Sequence, residues 1–155
     1  MIETATITDC KTLTAIALSA KGHWGYPKDY MDRWLGELTI TEDYVTKNMV
    51  RKEVLGEETV AFYSIVEVDA DMQVGDVWIE AGTWLDHMFV KPAFHKRGIG
   101  GRLVDDMKNS VAARKVSIFV DPFAEGFYRK MGATFLRHSK SSIPDRLIPV
   151  YTLAW

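Results

Sequence analysis

Cysteine is almost missing from this chain of 155 residues: Cys10 is the only one. That excludes an internal disulfide and a zinc cage built on cysteines. Neither sign of charge dominates. Nineteen Lys plus Arg stand against 21 Asp plus Glu, for a formal net charge of −2, so no general electrostatic pull toward nucleic acid or an anionic membrane surface is expected. No apolar run approaches the ~18 residues of a membrane span. Met1-Ile2-Glu3-Thr4 has neither the basic nor the apolar stretch of a secretion signal. The four histidines (His23, His87, His95 and His138) lack the spacing of metal ligands, so no metal site is expected. No repeat, low-complexity tract or linker divides the chain. These absences predict one cytoplasmic domain over residues 1–155.

What is present is patterned for mixed structure. Apolar residues make up 47% of the chain and charged ones 26%, the balance of a globular protein. Ile2 to Ile7 alternates as a strand does. Behind the capping types Thr8 and Asp9, residues Leu13, Ile16, Ala17 and Ala20 fall at i, i+3, i+4 and i+7, which predicts a helix ending near Gly22. Met31, Trp34, Leu35 and Leu38 predict a second helix over about 28–38, and Thr41-Glu42-Asp43 opens a short third one reaching about Met49. The run from Val60 to Val68 is rich in β-branched and aromatic residues and reads as a central strand. Residues 69–75 read as a turn, and 77–80 and 83–90 as strands. Ile99, Leu103, Met107 and Val111 form a helical stripe. Strand 116–120, helix 124–131, strand 133–136 and strand 148–155 complete the chain. The predicted class is α/β in the mixed α+β sense, with a single sheet, mostly antiparallel, flanked by helices. The last strand, with Trp155, is expected at an exposed edge, where it would pair with a second subunit as a homodimer.

The most informative segment joins a strand to a helix: Met88-Phe89-Val90-Lys91-Pro92-Ala93-Phe94-His95-Lys96-Arg97-Gly98-Ile99-Gly100-Gly101-Arg102. Glycines let a backbone approach a ligand closely, and the first amides of a helix have no partner inside it. With the positive end of the helix dipole and the cations Lys96, Arg97 and Arg102, the turn suits a phosphate. It is not a Walker loop, because Arg102-Leu103 follows Gly101 where Lys-Ser/Thr is needed. Nor is it a dinucleotide fingerprint, because Leu103 stands where the third glycine belongs.

His95-Lys96-Arg97-Gly98-Ile99-Gly100 resembles the cofactor motif of the GNAT superfamily of N-acetyltransferases, Gln/Arg-x-x-Gly-x-Gly/Ala, with His95 in place of Gln or Arg. Met88-Phe89-Val90-Lys91-Pro92 resembles that family's strand ending in Val-x-Pro. Further on, Asp121-Pro122-Phe123-Ala124-Glu125-Gly126-Phe127-Tyr128-Arg129-Lys130-Met131-Gly132-Ala133 is similar to its Asn-x-x-Ala-x-x-Phe-Tyr-x-x-x-Gly-Phe element, with Asp121 for Asn and Ala133 for Phe. The resemblance implies acetyl-CoA as cosubstrate. The pyrophosphate would sit on Gly98, Ile99, Gly100 and Gly101, the pantetheine arm along Met88, Phe89 and Val90, and Asp121 and Phe127 would be further cofactor contacts. It implies Tyr128 as general acid, and a backbone N–H near Met88 or Phe89 facing the developing oxyanion.

Asp86 and His87 lie just before the cofactor strand ends, on opposite faces, because side chains alternate along a strand. Either is a candidate base for the acceptor amine, His87 by its pKa range. As in the family, the loop between the first two helices would help build the acceptor site, with Trp24, Tyr26 and Tyr30 covering an amine through cation–π contact. The expected activity is therefore acetyl transfer from acetyl-CoA to a primary amine of a small molecule, in a sequential ternary complex. A peptide or protein N-acetyltransferase and a non-catalytic acyl-CoA-binding module are the alternatives.

Overall fold

The computed structural model describes every residue from Met1 to Trp155. Its elements are β1 (Ile2–Thr4), α1 (Cys10–Gly22), α2 (Lys28–Leu38), α3 (Glu42–Lys47), β2 (Met49–Leu55), β3 (Glu58–Val68), β4 (Met72–Val74), β5 (Val77–Ile79), β6 (Gly82–Val90), α4 (Ile99–Ser110), β7 (Lys115–Phe119), α5 (Glu125–Lys130), β8 (Thr134–Lys140) and β9 (Leu147–Ala154). Seven strands form one sheet in the order β1-β2-β3-β6-β7-β9-β8, and β4 pairs with β5 as a separate hairpin. The pairs β1–β2, β2–β3, β7–β9 and β8–β9 are antiparallel, and β6–β7 is parallel. The mixed, mostly antiparallel sheet is the class expected.

The chain forms two compact units, Met1–Ile65 with His87–Met107, and Val66–Asp86 with Lys108–Trp155. In the first, Leu13, Ile16 and Ala17 of α1 and Val60 to Tyr63 of β3 are fully buried. The continuous apolar run of β3 is that of a strand covered on both faces. Arg51 and Tyr63 bond Asp106 of α4, and Glu53 bonds Arg102 of α4. Lys52 reaches Asp9 at the start of α1, and Ser64 bonds Tyr44 of α3. Residues of opposite parity on β2 and β3 thus serve opposite faces, as the pleat requires.

β2 is the strand that periodicity does not reveal. Its middle, Arg51-Lys52-Glu53, looks solvated in sequence, yet Glu53 is only 2% exposed and all three charges are held by ion pairs to other elements. The segment read as a turn over 69–75 contains β4, which pairs Val74 with Val77 across Gly75-Asp76. Gly75 takes φ +60° there, the left-handed conformation that a two-residue hairpin loop needs. β1 ends at Thr4, because Ile7–Asp9 turn into a 3₁₀ helix before α1.

In the second unit, Val116, Ile118, Val150, Tyr151 and Leu153 are buried, and Trp84 stacks on Phe119 with centroids 4.7 Å apart. The terminal strand does not form the exposed edge. β9 pairs with β7 on one side and β8 on the other, so its hydrogen-bonding groups are used within the sheet and β8 is the outer strand. Trp155 donates its indole N–H to the Lys108 carbonyl at 3.1 Å and its backbone N–H to the Arg114 carbonyl.

Candidate active site

The turn after β6 is shaped by its backbone. Pro92 opens a 3₁₀ turn over Pro92–Phe94, Lys96 adopts φ +62° and Gly98 φ +76°. The helical ladder of α4 then starts with Arg102 N–H to the Gly98 carbonyl at 3.1 Å, so the amides just before Arg102 have no acceptor within the helix. A Cβ built on Gly98 or Gly101 would meet nothing within 4 Å. Lys96, Arg97 and Gly98 are exposed. This is a cradle of outward amides, open space and positive charge, and it fits the diphosphate of a nucleotide cofactor.

Its three cations are not equivalent. The Arg97 guanidinium lies over the Phe94 ring at 4.9 Å, beside the turn. Arg102, itself exposed, donates from Nε and Nη2 to Glu53 Oε1 at 3.0 and 2.7 Å. Its charge is committed to a buried carboxylate. Ile99 is buried and anchors the first turn of α4 in the core.

Two hydrogen bonds fix the polarity of β6. His87 N–H donates to Ser64 Oγ at 3.2 Å and Lys91 N–H to the Val60 carbonyl at 2.8 Å. Alternation therefore turns the Phe89 N–H toward β3 as well, and the Met88 and Val90 amides away from it. Of the two residues expected at the oxyanion, Met88 offers its N–H on the side away from β3. The Val90 carbonyl, on that same side, is met by His95 Nε2 at 3.0 Å. The parallel ladder of β6 with β7 has one register position, Trp84↔Ser117.

His87 and Asp86 have different surroundings. The His87 ring lies among Tyr44 of α3, Phe62 of β3 and Phe89 of β6, with centroids 5.8, 6.3 and 5.7 Å away. Asp86 is exposed. Nothing in the sequence pairs Tyr44 with His87. The one clue is Ser64, the sole hydroxyl-only polar residue inside a run of apolar and aromatic neighbours. It is fully buried and bonds Tyr44 Oη at 2.8 Å.

The three aromatic residues expected at the acceptor loop divide into two groups. Trp24 turns toward His95, 6.5 Å away and stacked, with His23 beside both. Tyr26 and Tyr30 pack on each other and on Trp34 instead. The Lys21 ammonium sits over Trp34 at 4.3 Å and Tyr26 at 5.4 Å. Those ring faces already hold a cation, and it is the chain's own.

In the second unit, Asp121 caps a 3₁₀ turn by accepting the Phe123 N–H at 2.9 Å. Tyr128 follows on α5, 8% exposed, its ring edge-on to Phe127 at 5.1 Å. Burial, and then the charge of Asp121, push the Tyr128 phenol well above its ordinary value. No group of three or more His, Cys, Asp or Glu side chains comes together in the way a metal would need. No helix is long and apolar enough to cross a membrane.

Residues 35–142 match the family described as an acetyltransferase (GNAT) domain. The chain belongs to the GNAT acetyltransferases. Among solved structures, a GCN5-related N-acetyltransferase from Rhodopseudomonas palustris is 16% identical with a TM-score of 0.75, covering 100% of this chain and 95% of that one. The PaiA N-acetyltransferase from Thermoplasma acidophilum, solved with coenzyme A, is 15% identical with a TM-score of 0.73, covering 100% and 98%. An aminoglycoside 6′-N-acetyltransferase, also complexed with coenzyme A, is 15% identical with a TM-score of 0.65, covering 99% and 96%. At these identities the likeness establishes the shared fold of this acetyltransferase. No curated protein matches the chain.

Proposed function

We propose that this GNAT acetyltransferase carries an acetyl group from acetyl-CoA to the primary amine of a small molecule, within one ternary complex. The observation that carries the reading is the cradle at Gly98–Gly101, where a left-handed glycine, open space and the first amides of α4 coincide. Two solved structures of the same fold were obtained with coenzyme A. Lys96 and Arg97 add charge at the cradle, and the outward amides of Met88 and Val90 offer a strand edge to the pantetheine arm.

When bound, acetyl-CoA supplies an activated acyl carbon that bonds to the amine nitrogen as the carbon–sulfur bond breaks and its electron pair stays on sulfur. His87 accepts the proton that the acceptor ammonium must lose, since an alkyl amine of pKa ~10 is mostly protonated at neutral pH. His87 is half-buried, among the rings of Tyr44, Phe62 and Phe89. The Met88 N–H donates to the carbonyl oxygen as charge develops there. Tyr128, by its place in the family motif, donates its phenolic proton toward the departing sulfur. An ordinary phenol is a weaker acid than a thiol by ~1.5 pKa units, about 2 kcal/mol, and the upward shift of Tyr128 widens that gap. Its contribution is therefore a hydrogen bond that strengthens as sulfur gains charge.

Calorimetry with CoA, followed by thiol release from acetyl-CoA with a panel of amines, tests the reading. Micromolar CoA binding and amine-dependent thiol release are expected. A folded protein that fails to bind millimolar CoA overturns it.

A further inference from the structure

We propose that two copies of this chain associate, the acidic β4–β5 hairpin of each docking on the outer β8–β9 face of the other. These elements all belong to the second compact unit, and the proposal is independent of the reaction. Register places Met72 and Val74 on one face of the hairpin, with Ile79 and Val77 as their cross-strand partners. A two-stranded hairpin is marginal by itself and gains from having such a face covered. On the sheet, Phe135 pairs with Tyr151 and Lys140 with Leu147, so Phe135 and Leu147 share a face. The short helix α5 covers only the Tyr151 end of it, where Tyr151 Oη donates to Glu125 at 2.8 Å. Met72, Val74, Phe135 and Leu147 are all exposed, Leu147 to 59%, as is Leu136 in the β8 bulge.

Charge identifies what covers them. Residues 66–86 carry Glu67, Asp69, Asp71, Asp76, Glu80 and Asp86 and no Lys or Arg. Residues 108–155 are the reverse, with Asp121, Glu125 and Asp145 outnumbered by Lys and Arg. Asp69 and Asp76 are exposed before β4 and at the hairpin tip, and Lys130 and Lys140 are exposed towards the two ends of β8. Direct pairing of β8 with its own copy would set Arg137 and Lys140 against like charge, whereas the hairpin offers the opposite sign. One chain cannot cover itself. Arg137 pairs with Val150 and so faces away from Phe135, and there it holds Glu80 and the Trp78 carbonyl. The hairpin is thereby tied to the opposite face. A twofold axis in the plane of the sheet, beside β8, exchanges the two faces. Each hairpin then meets the other copy's Phe135 face, and the contact closes as a dimer.

Sedimentation velocity on the full chain reads the assembly. A dimer with a micromolar Kd is expected, weakened about tenfold when salt screens the charges. Val74→Ser and Leu136→Ser should each weaken it about tenfold. The decisive pair of variants reverses one side at a time: Asp69→Lys with Asp76→Lys, and separately Lys130→Glu with Lys140→Glu. Each double variant repels its own copy and should be monomeric. An equimolar mixture of the two should dimerise, because each hairpin then meets opposite charge, and its assembly shows that both variants are folded. A parent that stays monomeric at about 100 µM or associates without limit overturns the inference. So does a dimer that survives both double variants, or a mixture that stays monomeric while circular dichroism shows both variants folded.

Discussion

Arg102, in the first turn of α4, grips Glu53 of β2 through two nitrogens on one carboxylate oxygen, and that carboxylate is almost wholly buried. The pair ties α4 to the sheet. Arg102→Met should remove one of the two cations paired with Glu53, the other being the Met1 ammonium 3.1 Å from Oε2, and lower stability by about 1–3 kcal/mol. Urea denaturation reads this directly, and a variant as stable as the parent would mean that the pair contributes nothing.

Lys96 and Arg97 should behave differently. Both are exposed at the turn, so Lys96→Ala and Arg97→Ala should weaken CoA binding and flatten its dependence on salt, because fewer unscreened charges act on the phosphates. Stability should stay within about 0.5 kcal/mol. CoA affinities that match the parent at both low and high salt would assign binding to the backbone alone.

Gly98 holds φ +76° with open space above it. Gly98→Val would force a β-branched residue into a left-handed conformation, at a cost of at least about 1–2 kcal/mol. The cradle would relax to avoid it. A loss of CoA affinity of about tenfold or more is expected by calorimetry, and unchanged affinity would show that the turn's conformation is not needed.

Tyr128→Phe removes the phenolic proton and keeps the ring. General acid assistance is typically worth ~10²–10⁴-fold, so kcat should fall toward that range with CoA affinity nearly constant. Turnover within threefold of the parent would make Tyr128 structural. A second readout is alkaline stability. The folded phenol titrates above its unfolded value of ~10, so its contribution is full below pH ~10 and is lost as pH rises toward the folded value. Thermal unfolding between pH 8 and 11 should decline less steeply in Tyr128→Phe.

Glu80 gives the opposite limb. Its hydrogen bonds from Arg137 at 2.9 Å, outweighing partial burial, hold its carboxyl below the usual range. A lowered pKa contributes stability above the unfolded value of ~4.3 and loses it as pH falls through the folded one. Arg137→Met should therefore be less stable than the parent at pH 7, with the gap closing below about pH 4. A gap independent of pH would assign the loss to packing.

The sequence by itself determined the elements whose periodicity comes from burial on one side. Leu13, Ile16, Ala17 and Ala20 mark α1, the apolar run marks β3, and the strand–glycine–helix order marks the cradle, because local backbone chemistry creates its amides wherever the chain goes. What only the tertiary structure decided are the partners. Arg51-Lys52-Glu53 reads as solvated until Asp106, Asp9 and Arg102 arrive from distant segments to neutralise it. Trp155 reads as an edge until β8 pairs outside β9. Lys21 turns Tyr26 and Trp34 inward, and Tyr44 comes to His87 across 43 positions of chain. Charge pairing and ring packing act over a few ångströms in space, and separation along the chain carries no trace of them.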